Sequence, residues 1–103
     1  MLFLVHWELN ENVPEEQRLQ AAQKLTGAGL FPPKGVNVLR FDATPDLWGV
    51  ILMEASSVAD VFRAVDIWRA SVPGFFKTIK TAPAMPVQEI LPLAAEIVKA
   101  VKS

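Results

Sequence analysis

Leu47–Ala82 reads LWGVILMEASSVADVFRAVDIWRASVPGFFKTIKTA, and its hydrophobic period changes twice along the way. From Leu47 to Ala55 side chains alternate between two sets, Leu47, Gly49, Ile51 and Met53 against Trp48, Val50, Leu52 and Glu54, as in a strand. Ser57 followed by Asp60 then resembles a capping box in which Asp replaces the usual Glu. Beyond it, Val58, Val61, Phe62, Val65 and Trp68 recur at the spacing of one helix face. Val72-Pro73-Gly74 stops that helix, and Phe75–Ala82 returns to a strand, closed by Pro83 and Pro86. A strand, a capped helix and a second strand in under forty residues make a β-α-β unit.

The same order occurs upstream. Leu2–Leu9 is a short run rich in aromatic and apolar residues and reads as a strand, with a turn at Asn10–Asn12. Pro14 falls at a first helical position, and Glu15 and Glu16 suit the positive end of a helix running to about Leu25. Gly27 and Gly29 are its stop signals. Its apolar stripe is thin (Arg18, Ala21, Ala22, Leu25), so the helix must lie close against a sheet. After the FPPKG loop (Phe31–Gly35), Val36–Asp42 forms a strand joined to the next by the ATPD turn at Ala43–Asp46. Downstream, VQEILPLAAEIVKAVK (Val87–Lys102) places Ile90, Leu91, Ala94, Ile97, Val98 and Val101 on one helix face. Pro92 is tolerated in a first turn, so the firm helix is expected from near Leu91, with Val87–Ile90 unassigned. The order β-α-β-β-α-β plus a final helix predicts an α+β, ferredoxin-like domain spanning 1–103, with a four-stranded antiparallel sheet and a C-terminal helix.

Composition narrows the function. Hydrophobic residues are 51% and charged ones 20%, which suits a globular domain. Net charge is −1 with scattered Lys and Arg, so nucleic acid is not an expected partner. There is no cysteine, which excludes disulfides, thiol nucleophiles and Cys-based metal sites. The apolar N-terminus ends at Trp7 without a basic flank, unlike a signal peptide, and no run is long enough to span a bilayer. The expected location is therefore cytoplasmic, with no membrane association.

Strand parity separates two sheet faces. Phe3, Val5, Trp7 and Leu9, with Ile51, Met53, Leu39 and Phe41, form the set expected under the helices. The opposite set holds Leu2, Leu4, Val36, Val38, Trp48, Val50 and Leu52, and it is too apolar for a face left in water. A homodimer through this face is expected, with Leu4, Val38, Val50 and Leu52 at the interface.

LFLVHWELNEN (2–12), FPPKGVNVLRF (31–41), WGVILMEA (48–55) and WRASVPGFFKTIKTAPAM (68–85), in that order, resemble the uncharacterised domain of unknown function 3303 family of the dimeric α/β-barrel superfamily. Trp7, the Pro32–Val36 loop and Trp68 carry most of the likeness. The resemblance implies a barrel-like dimer and brings no established activity. Superfamily relatives include cofactor-independent monooxygenases and haem-dependent enzymes, so fold does not select function here.

His6 is the one histidine. By parity it shares a face with Glu8, Arg40, Asp42, Trp48 and Glu54, where it could move a proton, with Arg40 beside a substrate. The competing assignment makes these ion pairs at strand ends and His6 a hydrogen-bonded residue of the dimer face; it is preferred, because structural ion pairs often mimic sites. A zinc site would need an unusual carboxylate-rich donor set, and haem would need His6 as axial ligand on a face assigned to dimerisation, so neither metal nor cofactor is expected. His6, Trp7, Trp48 and Trp68 are the candidate ligand-pocket residues. Trp68 continues a core stripe, and with Trp7 it could wall a cleft between sheet and helices. Three functions stay open: a module binding a small apolar molecule, a cofactor-independent monooxygenase- or isomerase-like enzyme, and an interaction domain.

Overall fold

The computed structural model describes Met1–Ser103. Its elements follow the expected order: β1 (Leu2–Leu9), α1 (Glu15–Gly27), β2 (Val36–Ala43), β3 (Trp48–Ala55), α2 (Val58–Ser71), β4 (Phe76–Pro83) and α3 (Val87–Lys102). The sheet runs β2-β3-β1-β4 with every pair antiparallel. This is the α+β ferredoxin-like arrangement, with β1 central and both crossover helices on one face.

Local chemistry explains the boundaries. Pro14 is the N-cap of α1 and not its first residue; its backbone is extended, and Glu15 and Glu16 occupy the first turn. Gly29 takes a left-handed φ of 70° just past the end of α1, so that Leu30 and Phe31 donate back to the Leu25 carbonyl. At α2 the expected cap is present: Ser57 Oγ accepts from the Asp60 amide at 3.2 Å. β3 begins one residue later than alternation suggests, because Leu47 is a turn residue with a left-handed φ of 62°.

The covered face is built as expected by β1 and β3. Phe3, Val5, Trp7, Ile51 and Met53 are buried against Ala21 and Leu25 of α1 and Val61, Ala64, Val65 and Trp68 of α2. Gly49 is required in this layer, since a Cβ there would run into the Trp7 ring and the Asp42 carbonyl.

Three expectations need correction. First, Val36 and Val38, expected on the open face, pair with Ala55 and Met53 and pack against the core. A bulge is the reason. Leu39 and Arg40 together oppose Leu52, and this extra residue inverts the parity on one side of it. Leu39 is consequently 43% exposed and not part of the core, while Phe41 stays opposite Ile51. Second, α2 is rotated from the expected stripe: Ala64 is fully buried, whereas Val58 and Phe62 are 64% and 59% exposed. Third, α3 starts at Val87 and takes Pro92 into its interior. Pro92 lies on the polar side of the helix, where the carbonyl it deprives of a donor can be hydrated.

α3 also buries none of its residues. The molecule is 57 Å long, with a radius of gyration of 16.7 Å where a compact chain of about 100 residues has roughly 13 Å.

Candidate functional site

Trp7 lies across Gly49 and meets Phe41 edge-on at 6.0 Å. Phe41 in turn stands edge-on to Trp68 at 5.9 Å, and Trp68 touches Phe31 at 5.2 Å and Phe75 at 5.5 Å. Rings held in edge-to-face and tilted contacts make a stiff wall. Between this wall and α1 opens a cavity of about 450 Å³, within the range of small-molecule sites. α1 contributes Leu19 and Ala22, and the β2–β3 turn contributes Pro45 and Leu47. The small Ala22 side chain on the inner side of α1 leaves this space unfilled.

Polar groups are confined to Glu15, Arg18 and Thr44. Arg18 is tied down: Nη1 donates to the Asn10 carbonyl at 3.2 Å and to the Val13 carbonyl. It anchors the start of α1 to the turn after β1. The buried indole N–H groups of Trp7 and Trp68 have no hydrogen-bond acceptor. A buried donor without an acceptor costs about 1–3 kcal/mol, and both belong to rings walling the same cavity.

The four candidate pocket residues divide between two faces. Trp7 and Trp68 line the cavity. His6 and Trp48 lie on the open sheet face, their ring centroids 5.6 Å apart, in a separate depression with Glu8, Glu11, Asp46 and Lys77. His6 sits between Val50 and Lys80 in the ladder. Glu8, two residues along, is engaged instead by Lys77 at 3.5 Å and by the Thr78 hydroxyl at 3.4 Å.

Arg40 does not converge on His6. Its Nε donates to Asp42 at 2.8 Å, and this hydrogen bond and charge raise its pKa further. Asp42 pairs with Val50, which pairs with His6, so two strand spacings of roughly 10 Å intervene. No three His, Asp or Glu side chains come together in a metal-holding group. Of the residues expected at the interface, Leu4 is 45% exposed, and Val50 and Leu52 are half-buried on the same open face.

Arg18 and Phe41 entered the sequence reading as stripe or core residues, and both also line the cavity. A signal existed for Arg18: it is a long polar side chain inside the apolar stripe of a short helix. Phe75, expected as the first residue of β4, is a buried residue before the strand, its carbonyl accepting from the Asn10 amide.

A family model described as Domain of unknown function (DUF3303) matches residues 1–98. No curated protein matches the chain in sequence. Among solved structures, protein Atu4242 from Agrobacterium tumefaciens is similar at 12% identity and a TM-score of 0.47, covering 84% of this chain and 93% of that one. A chain of the MjSpt4:Spt5 complex is similar at 21% identity and a TM-score of 0.36, covering 91% of this chain and 58% of that one.

Proposed function

The chain belongs to the DUF3303 family, and we propose that it is a module that binds a small, largely apolar molecule in the Trp7–Trp68 cavity, on a scaffold that dimerises through its open sheet face. The observation that carries this is the cavity itself: of ligand size, walled by rigid aromatic rings, and edged by a single fixed cation and a carboxylate. The dimer is supported by Leu4, Leu39, Trp48, Val50 and Leu52, which together leave apolar surface in water on the open face.

The enzyme alternative, a cofactor-independent monooxygenase or isomerase, needs a proton-moving group at the reacting centre. His6 lies on the far side of the sheet from the cavity, so nothing in the geometry favours it as the base. The ligand reading is tested with N-phenyl-1-naphthylamine, a neutral apolar fluorophore. Saturable binding is expected, weakened at least tenfold by Ala22→Phe, which fills the cavity from α1. Equal binding to wild type and to a folded Ala22→Phe protein would contradict the assignment.

A further inference from the structure

The cation at the edge of the aromatic cavity differs from its counterparts elsewhere in the chain. Arg40, Arg63 and Arg69 each pair with an aspartate, at 2.8, 3.0 and 2.8 Å. Arg18, the fourth arginine, is half-buried and has no carboxylate partner in the chain. Its partners are the backbone carbonyls of Asn10 and Val13, and Nη1 donates to both. Nη1 carries two N–H groups, so these two acceptors occupy that end of the guanidinium fully. Nε and Nη2 remain. They make no hydrogen bond within the chain, and neither is sealed from solvent. Together they form one edge of the guanidinium plane, with parallel donors spaced for the two oxygens of a carboxylate.

The carbonyls that hold this group are themselves fixed. The Asn10 amide donates to the Phe75 carbonyl at 3.2 Å, and the Val13 amide donates to the Asn10 carbonyl at 3.1 Å. The Asn10 side chain accepts from the Asn12 amide at 3.0 Å. Arg18 is thereby oriented before a ligand arrives, and it has little freedom left to lose on binding.

The other polar groups at the cavity do not compete. The Thr44 hydroxyl donates to the Trp48 carbonyl at 2.9 Å. Glu15 is an exposed residue in the first turn of α1, and its carboxylate stays hydrated. An exposed ion pair is worth little, whereas a half-buried cation beside apolar walls gains from a charge-assisted bond. A neutral occupant covering Arg18 strips water from Nε and Nη2 without replacing it. A dianion meets only one arginine and is opposed by Glu15. A monoanion fits both conditions.

We propose that the ligand of this cavity is an apolar monocarboxylate. The Nε–Nη2 edge of Arg18 holds its carboxylate, and its hydrocarbon or aromatic body lies against Trp7, Phe41 and Trp68. This rests on the cavity being the ligand site and adds the polar pole that the apolar walls leave open. Arg18 is then the residue that sets specificity, and the aromatic wall sets shape.

The test compares molecules that share one body and differ in charge. N-phenyl-1-naphthylamine bound to the protein is displaced with 1-naphthylacetate, its neutral amide 1-naphthylacetamide, or the matched naphthylethylamine. The acid is expected to displace the probe about tenfold better than the amide, with the amine weakest. In folded Arg18→Gln protein, acid and amide should fall within about twofold of each other while the probe still binds. Where Arg18→Gln does not fold, the Arg18 Nε–H signal in ¹⁵N-correlated NMR, assigned with Arg18→Lys, replaces it. That signal should shift with the acid and stay in place with the amide. Equal displacement by acid and amide would overturn the carboxylate assignment and leave the apolar cavity standing. Preference for the amine would move the pole to Glu15, and an acid preference that survives Arg18→Gln would remove Arg18 from it; either overturns the proposal. Absence of saturable probe binding would instead strike the cavity reading beneath it.

Discussion

The two faces of the sheet come from alternate residues of the same strands, yet they end differently. On one side Val5 and Met53 are wholly buried under α1 and α2. On the other, their neighbours Leu4 and Leu52 are nearly as apolar and remain in contact with solvent, Leu4 at 45%. The chain supplies a cover for one face and leaves the other unfinished. Only 16 of 103 residues are buried, so much of the apolar content is still available for contacts beyond the single chain.

The sharpest way to separate the faces is to remove a ring from the covered one. Trp68→Ala should cost about 3–5 kcal/mol, as large-to-small core changes do. It removes the contacts to Phe31, Phe41 and Phe75 together. A melting temperature at least about 12 °C lower is expected at the usual 4–8 °C per kcal/mol. An unchanged melt would mean that the aromatic wall contributes little to the fold.

On the open face, Val50→Asp should leave the isolated fold intact and act on association. If that face is covered by a second copy, the substitution buries an unpaired charge worth several kcal/mol and dissociates the dimer. Sedimentation equilibrium checks this. Wild-type protein that is already monomeric at micromolar concentration would break the proposed difference between the faces.

Most of the fold was legible because period and punctuation agree: alternation in β1 and β3, a capped helix at Ser57, and Pro and Gly stops between elements. What was not legible came from tertiary effects with no local signal. The bulge at Leu39 and Arg40 inverts parity, and nothing in VNVLRF marks it, so Val36 and Val38 were placed on the wrong face and Leu39 with the core. The rotation of α2 depends on Ala64, whose small side chain lets the helix approach the sheet, while the bulkier Phe62 looked like the better core residue. The pocket was half legible. Trp7 and Trp68 line it, but His6 and Trp48 were grouped with them by residue type, and a pleated sheet places them on its opposite side.

Smaller changes refine the comparison. His6→Gln keeps a donor and an acceptor, and its site opens to the depression on the open face. Association and naphthylamine binding are expected within about twofold of wild type, roughly 0.4 kcal/mol. An activity abolished by this change in a folded protein would move the functional site to the open face.

Leu47→Gly sets two opposing effects against each other. Glycine relieves a left-handed conformation that costs other residues about 1–2 kcal/mol, but it also removes a half-buried side chain from the cavity wall. A net stability change within about 1 kcal/mol is expected in chemical denaturation, together with weaker probe binding. Stabilisation with unchanged binding would show that Leu47 does not shape the cavity.

The three tryptophans provide the most direct test, because Trp7 and Trp68 wall the cavity and Trp48 lies on the open face. Their indole N–H signals are resolved by ¹⁵N-correlated NMR, assigned with single Trp→Phe variants, and followed as N-phenyl-1-naphthylamine is added. The account predicts that the Trp7 and Trp68 signals shift together and saturate while Trp48 stays in place. A shift of Trp48 alone, or saturable binding that leaves Trp7 and Trp68 unmoved, would contradict it.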